Sequence, residues 1–158
     1  MSNAKKTAVK KLNIKIILIQ WIGIFFLING FLRLYYSVYA EEINYLLNSK
    51  ENNSKTLRIL HDFLDYQIFA AFAAYFLGVT LIALINWKNK NHFWNSIIVA
   101  LLTFVIFPSG LFFRGVICNF FNSFGGKIIN NATYSFLIGG ITLSLIGGFL
   151  IWKSSKIK

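Results

Sequence analysis

Acidic residues, cysteine and proline are all scarce in this sequence of 158 residues. Asp and Glu together number five, and the single cysteine and single proline are Cys118 and Pro108. One cysteine excludes an intrachain disulfide and any zinc site built from several cysteines. The sequence also contains no P-loop, nucleophile elbow, HExxH or CxxC motif, so no class of reaction is indicated. We therefore expect no enzymatic activity, no cofactor and no bound metal.

Charge of either sign is sparse as well. Only 13% of the residues are charged, whereas 56% are hydrophobic and 18% are aromatic. Soluble domains carry about 25% charged residues, which form the polar surface that faces water. A chain with about half that share lacks such a surface, so the composition predicts a protein whose surroundings are lipid.

Apolar stretches long enough to cross a bilayer occur four times. A helix needs about 20 mostly apolar residues to span the hydrocarbon core. The sequence therefore predicts an all-α membrane protein, a single domain over 1–158 with four transmembrane helices. These helices are expected at Ile16–Leu34, Tyr66–Ile85, Phe93–Phe113 and Tyr134–Trp152.

Basic residues cluster beside the two chain ends, and this pattern predicts the orientation. With both termini in the cytoplasm, ten of the sixteen Lys and Arg residues lie inside and all five acids lie outside. Trp87, Trp94 and Trp152 then fall at the inner interface, whereas most tyrosines fall at the outer one. The net charge of +11 is thus explained by topology rather than by binding to nucleic acid. We expect a bacterial cytoplasmic membrane as the location.

An alternative interpretation makes the first apolar run a cleaved signal peptide, with Val38-Tyr39-Ala40 as the cleavage site. That run is longer than the apolar region of about 7 to 15 residues found in signal peptides, so we favour a membrane helix. The long loop that follows is expected to form a short helical cap on the outer surface. Ser54 is a suitable residue to begin a helix that continues into the second span.

Small residues at every fourth position form two stripes. Such stripes let helices approach closely in lipid, where no hydrophobic driving force brings them together. They predict either packing within the chain or an interface between copies of it. The stripes are Ala70, Ala74 and Gly78 on the second helix, and Gly140, Ser144 and Gly148 on the fourth.

Two further groups of residues are candidates for function. A polar cluster is expected at the outer surface, because ionisable residues near a membrane core are costly to bury. Its members are Arg33, Glu41, Glu42, His61, Asp65 and Arg114. In addition, Pro108 and Gly110 predict a kink or a gate in the third span, since proline removes a helical hydrogen bond.

The layout of four helices, a long first outer loop and a tight inner turn over 86–92 resembles that of DoxX-like membrane proteins. It also resembles small membrane subunits of bacterial phage-defence systems. DoxX-like chains carry an acidic residue in the second helix, whereas this chain has none between Gln67 and Ile85, so no functional residue is transferred. We expect a non-enzymatic subunit, in contact with membrane lipids, that acts by assembly with itself or with a partner protein. The alternative is a pore or transporter for an uncharged or lipid-like substrate.

Overall fold

The computed structural model describes residues 12–48, 54–106, 120 and 131–157. The described elements are helices, so the predicted all-α class is confirmed for this part of the chain. In chain order they are α1 (Ile14–Val38), α2 (Ala40–Asn48), α3 (Ser54–Lys88), α4 (Phe93–Ile106) and α5 (Ala132–Ser154).

Three of these helices, α1, α3 and α5, are long and apolar enough to cross a membrane, and α4 is a shorter apolar helix. The predicted spans 16–34, 66–85 and 134–152 lie inside α1, α3 and α5. The third predicted span begins with α4 at Phe93, and its remainder, 107–113, lies outside the described residues. By length and composition, the fold is compatible with an α-helical membrane bundle.

Side chains that follow the usual rules for helix ends set several of the boundaries. The Asn13 side chain accepts a hydrogen bond from the Ile16 amide at 3.2 Å and begins α1. Asn131 caps α5 in the same way, accepting from Thr133 and Tyr134. Capping of this kind satisfies amide groups that have no partner in the first turn of a helix. Short polar side chains thus fix where two of the apolar helices start.

The central helix of the bundle is α1. Its residues Ile24, Ile28 and Leu32 are fully buried, and it packs on α3, α4 and most extensively on α5. By contrast, α3 and α5 scarcely contact each other over the described residues. The core is therefore formed around α1, with the other helices arranged beside it.

Large apolar side chains cover the outside of the bundle. Phe69 on α3, Val105 on α4 and Leu145 on α5 are each about 70% exposed, at 71%, 72% and 68%. Water would penalise so much exposed apolar surface, at about 25 cal/mol for each Å². Hydrocarbon imposes no such penalty, so these side chains fit a lipid-facing surface.

The described acids lie at one end of the bundle, and most of the described bases lie at the other. Five described lysines lie where α1 begins and where α3 and α5 end; they are Lys15, Lys88, Lys90, Lys153 and Lys156. The described acids lie at the opposite end, on α2 and on the first turns of α3. Since α3 has 35 residues, it is about 52 Å long and exceeds the hydrocarbon thickness of about 30 Å. Its first turns therefore extend beyond the apolar part of the bundle, next to α2.

Candidate functional site

The most extensive helix contact, between α1 and α5, is made through glycines. The two helices run antiparallel, so that Gly23 lies against Gly147 and Gly30 lies against Gly140. A methyl group at Gly147 would lie 2.6 Å from the carbonyl oxygen of Gly23 and 2.6 Å from the amide nitrogen of Leu27. Both neighbours are backbone atoms, which cannot rotate away. Only glycine permits the two backbones to come this close.

Glycines on each of these helices are seven residues apart, which is close to two helical turns. This spacing places Gly23 and Gly30 on one side of α1, and Gly140 and Gly147 on one side of α5. A search for small residues at every fourth position misses Gly23 and Gly30. A search for paired glycines at a separation of seven would have found them.

The predicted small-residue stripe on α5 is divided between two environments. A methyl group at Gly140 would lie 2.8 Å from the Leu34 amide nitrogen, and Ser144 lies directly against Gly30. Gly148, in contrast, has no heavy atom of the described residues within 4 Å of the position of a β-carbon, apart from its chain neighbours and the backbone of its own helix. The stripe thus packs on α1 at two of its three positions and opens outward at the third.

The predicted stripe on α3 also lies against α1. A β-carbon at Gly78 would be 2.6 Å from Cγ1 of Ile24, and Ala74 is fully buried. Ala70 is half-buried and packs at the edge of the same core. Both predicted stripes therefore contact α1 rather than each other.

The structure pairs two of the predicted outer polar residues. His61 and Asp65 lie one turn apart on α3, with His61 Nδ1 3.2 Å from Asp65 Oδ2, and both side chains are more than half exposed. Glu41 and Glu42 are exposed on the first turn of α2. Within the described residues, no three His, Cys, Asp or Glu side chains come together in a way that could hold a metal ion.

Arg33, which we predicted to be part of a polar cluster at the outer surface, is only 2% exposed. Its guanidinium carbon lies 5.2 Å from the centre of the Tyr36 ring, a distance at which a cation is attracted to an aromatic face. Arg114, Pro108 and Gly110, which complete the predicted polar cluster and the predicted kink, lie outside the described residues.

A buried amide cluster, formed by Gln20, Asn86, Ser96 and Ser154, joins α1, α3, α4 and α5 at the lysine-rich end. Gln20 Nε2 donates to Asn86 Oδ1 at 2.8 Å and to Ser154 Oγ at 3.1 Å. Asn86 Nδ2 in turn donates to Gln20 Oε1 at 3.0 Å and to Ser96 Oγ at 2.9 Å. Each of the four residues is less than 9% exposed. In an apolar environment such a network holds the helices in one register.

No single helix carries a pattern that reveals this cluster, because each helix contributes one residue near its end. At the opposite end, aromatic rings take the corresponding place. Gln67 Nε2 donates to the Tyr36 hydroxyl at 2.7 Å, and the Tyr35 hydroxyl donates to the Phe63 carbonyl at 2.9 Å. Gln67 and Asn86 are 19 residues apart on α3, or about 28 Å. That separation is close to the thickness of the hydrocarbon core.

A cavity of about 1070 Å³ lies beside the turn between α3 and α4, at the lysine-rich end. We call it the α3–α4 cavity. Its wall along α3 is mainly apolar, and lysines and amides line its end near the turn. The lining residues are Val79, Thr80, Ala83, Leu84, Asn86, Trp87, Lys88, Lys90, Asn91, Phe93 and Ser96.

The turn next to this cavity has a defined geometry. The Lys90 amide donates to the Trp87 carbonyl at 3.0 Å, and the Asn91 amide donates to the Asn86 carbonyl at 2.8 Å. These two bonds form a Schellman motif, in which the residue after the helix adopts a left-handed conformation and is usually glycine. Here that residue is Lys90, with φ of 53°. A lysine therefore occupies a position where its side chain costs conformational energy.

Comparison of this chain with protein-family models, with curated proteins and with solved structures finds no match. The arguments for function therefore come from the residues and their geometry.

Proposed function

We propose that this chain is a non-enzymatic membrane subunit that crosses the bilayer four times and acts by assembly, with a second copy of itself or with a partner protein. The observation that carries the proposal is the outward face of α5. Gly148 has open space around it there, and it is flanked by Leu145 at 68% exposure, Phe149 at 53% and Trp152 at 51%.

A glycine between large apolar side chains forms a recess into which another helix can fit. In lipid, helices associate by close packing and not by escape from water, so a recess of this kind favours contact with a second helix. The α1–α5 contact within the chain uses the same device, with glycines spaced so that backbones touch. We therefore call the surface formed by Ile141, Leu145, Gly148, Phe149 and Trp152 the α5 outer face, and infer that it is the assembly surface.

The charge separation supports an orientation with both termini in the cytoplasm of a bacterial cell. Basic segments are retained on the cytoplasmic side of a membrane, and the lysine-rich end holds the start of α1 and the end of α5. Fusions of a reporter that is active only outside the cytoplasm test this directly. A fusion after Lys156 should be inactive, and one inserted between Asn48 and Ser54 should be active.

Cysteine crosslinking in native membranes tests the assembly surface. In a Cys118→Ser background, Leu145→Cys places a thiol on the α5 outer face, and Val105→Cys places one on the exposed side of α4. Leu145 and Val105 each lie nine residues from a member of the buried amide cluster, Ser154 or Ser96, and have nearly equal exposure. They are therefore matched in depth and accessibility. We expect a crosslinked dimer from Leu145→Cys only, and adding Gly148→Leu should abolish it.

Native mass spectrometry in mild detergent provides the second measurement. A dimer, or a complex with a co-purifying protein, is expected for the unmodified chain. A strictly monomeric chain without any bound partner, together with no crosslink at residue 145, would show that the proposal is wrong.

The second candidate function is a pathway for an uncharged or lipid-like substrate. The α3–α4 cavity favours it, because its walls are apolar and it lies at one end of the bundle. Purified chain in liposomes should then speed the movement of a fluorescent lipid between leaflets. The variant Ala83→Trp, which would fill the cavity, should remove that effect, whereas an unchanged rate with and without protein excludes this function.

A further inference from the structure

We propose that the α3–α4 cavity binds one anionic phospholipid from the surrounding membrane, with an acyl chain along α3 and the phosphate beside Lys88 and Lys90. This inference goes beyond the proposed function, because it concerns a ligand and does not depend on assembly. Three observations carry it: the apolar wall, the charge at the mouth and the backbone of the turn.

The apolar wall lies on the outward side of α3. Val79, Ala83 and Trp87 line it at intervals of four residues, with Leu84 next to Ala83, while the opposite side of α3 is buried against α1. From Val79 to Trp87 the wall runs for about 12 Å along the helix. A cavity of about 1070 Å³ that opens on a lipid-facing surface has room for the first part of an acyl chain.

The mouth of the cavity is positively charged and aromatic. Lys88 and Lys90 line it, and among the described lining residues none is acidic. Trp87 is 80% exposed and Phe93 is 71% exposed at the same level, where aromatic rings prefer the headgroup region of a bilayer. Basic pockets between helices at this level bind the headgroups of anionic lipids.

The backbone of the turn gives an independent reason. Lys90 occupies the left-handed position of the Schellman motif, where glycine would remove the strain. Strained backbone positions cluster at sites that hold ligands. We infer that the side chain of Lys90 places a second ammonium group at the cavity mouth, two residues after Lys88.

Native mass spectrometry from vesicles of phosphatidylcholine with one-tenth phosphatidylglycerol tests the proposal. The test variant is Lys88→Gln with Lys90→Gln. The matched control is Lys153→Gln with Lys156→Gln, which removes the same charge at the same end but outside the cavity. Both pairs are exposed, so neither should alter the fold. We expect one retained phosphatidylglycerol on the unmodified chain and on the control. A lysine at an anionic lipid surface contributes about fivefold, so the test variant should bind it about 25-fold more weakly.

The variant Lys90→Gly distinguishes an effect on lipid binding from an effect on the stability of the fold. It should raise the melting temperature in lipid-free detergent, because glycine adopts a positive φ without strain. It should nevertheless weaken phosphatidylglycerol retention about fivefold. Unchanged retention in Lys90→Gly would overturn the role of this residue.

Other outcomes overturn the proposal as a whole. Equal losses in the test and control pairs would show a general effect of charge. Equal retention of phosphatidylcholine would show a groove without preference for anionic lipid. Displacement of the lipid by inorganic phosphate at millimolar concentration would show a site for a free anion.

Fluorescence quenching tests where the lipid binds. In a Trp21→Phe, Trp94→Phe, Trp152→Phe background, a brominated phosphatidylglycerol should quench the fluorescence of Trp87. Absence of quenching would contradict the proposed location.

Discussion

Glycines occupy two sides of α5, and the two sides differ in what lies against them. Gly140 and Gly147 contact the backbone of α1, whereas Gly148 has open space around it in the described part of the chain. Gly147 and Gly148 are neighbours in sequence and identical in type. Their roles differ because consecutive residues of a helix are about 100° apart, which here separates a packed side from an outward one. A small-residue motif therefore gains meaning only from the neighbour that it faces.

A substitution at Gly147, on the packed side of α5, should have the strongest effect on stability. Gly147→Ala adds a methyl group within 2.6 Å of two backbone atoms of α1, so the helices must separate. We expect a loss of stability of about 3 kcal/mol or more, since overpacking against rigid backbone is costly. Thermal unfolding in detergent, followed by circular dichroism, measures it. The neighbouring variant Gly148→Ala is the control, and as a single chain dissociated from any partner it should be neutral or more stable by up to about 1 kcal/mol. Equal effects at the two positions would contradict the packing described for α5.

The second-largest loss of stability is expected at the end of the packed side of α5, where Ser154 joins the buried amide cluster. Gln20→Leu removes three hydrogen bonds and leaves polar atoms of Asn86 and Ser154 in an apolar environment. We expect a loss of about 1–2 kcal/mol. Gln67→Leu at the opposite end removes one bond to a half-buried Tyr36 and should cost about 0.6 kcal/mol. If Gln67→Leu lowered the stability more than Gln20→Leu, the amide cluster would contribute less to stability than the contacts at the opposite end.

Gly78→Ala tests whether α1 packs as tightly on α3 as it does on α5. The added methyl group meets Cγ1 of Ile24 at 2.6 Å, which belongs to a side chain and can change rotamer. We therefore expect a loss of about 1 kcal/mol, well below that of Gly147→Ala. The same unfolding experiment checks the order of the two variants, and a reversed order would show that α3 rather than α5 is the tighter neighbour of α1.

The smallest change in stability is expected for a substitution on the α5 outer face. Lys156 Nζ is 3.8 Å from the centre of the Trp152 ring, and an exposed cation–π contact contributes about 0.5 kcal/mol. Lys156→Gln should lower the stability by about that amount and shift the fluorescence of Trp152. Lys153→Gln has the same charge change and should leave that fluorescence unchanged. A spectrum that responds equally to both variants would show an effect of net charge alone.

Residue patterns predicted the helices more completely than the contacts between them. Ser54 as the start of a long helix is confirmed, and so is the short helix that follows the first span, α2 at Ala40–Asn48. These predictions succeed because helix length, apolar runs and caps are local properties. The buried amide cluster was not predicted, since Gln20, Asn86, Ser96 and Ser154 are up to 134 residues apart in the chain. Nothing in the sequence of one helix reports the polar side chain at the end of another.

The position of Arg33 illustrates the same limit. Its place near the end of an apolar run predicted a residue of the outer polar cluster, whereas the structure buries it beside Tyr36. Which way a residue at a helix end points depends on the helices beside it. The α3–α4 cavity is likewise a property of the fold, because its wall comes from α3 and its mouth from the turn and the first residues of α4.

Composition and the periodicity within single helices are enough to predict the helical class, the apolar surface compatible with a membrane and the excess of bases at one end. Tertiary structure alone decided that α1 is central, that Gly147 is closed and Gly148 open, and that four distant polar residues meet. The physical reason is that burial, close backbone approach and hydrogen bonding between helices depend on which faces meet, and a periodic pattern fixes the faces of a helix without fixing its neighbours.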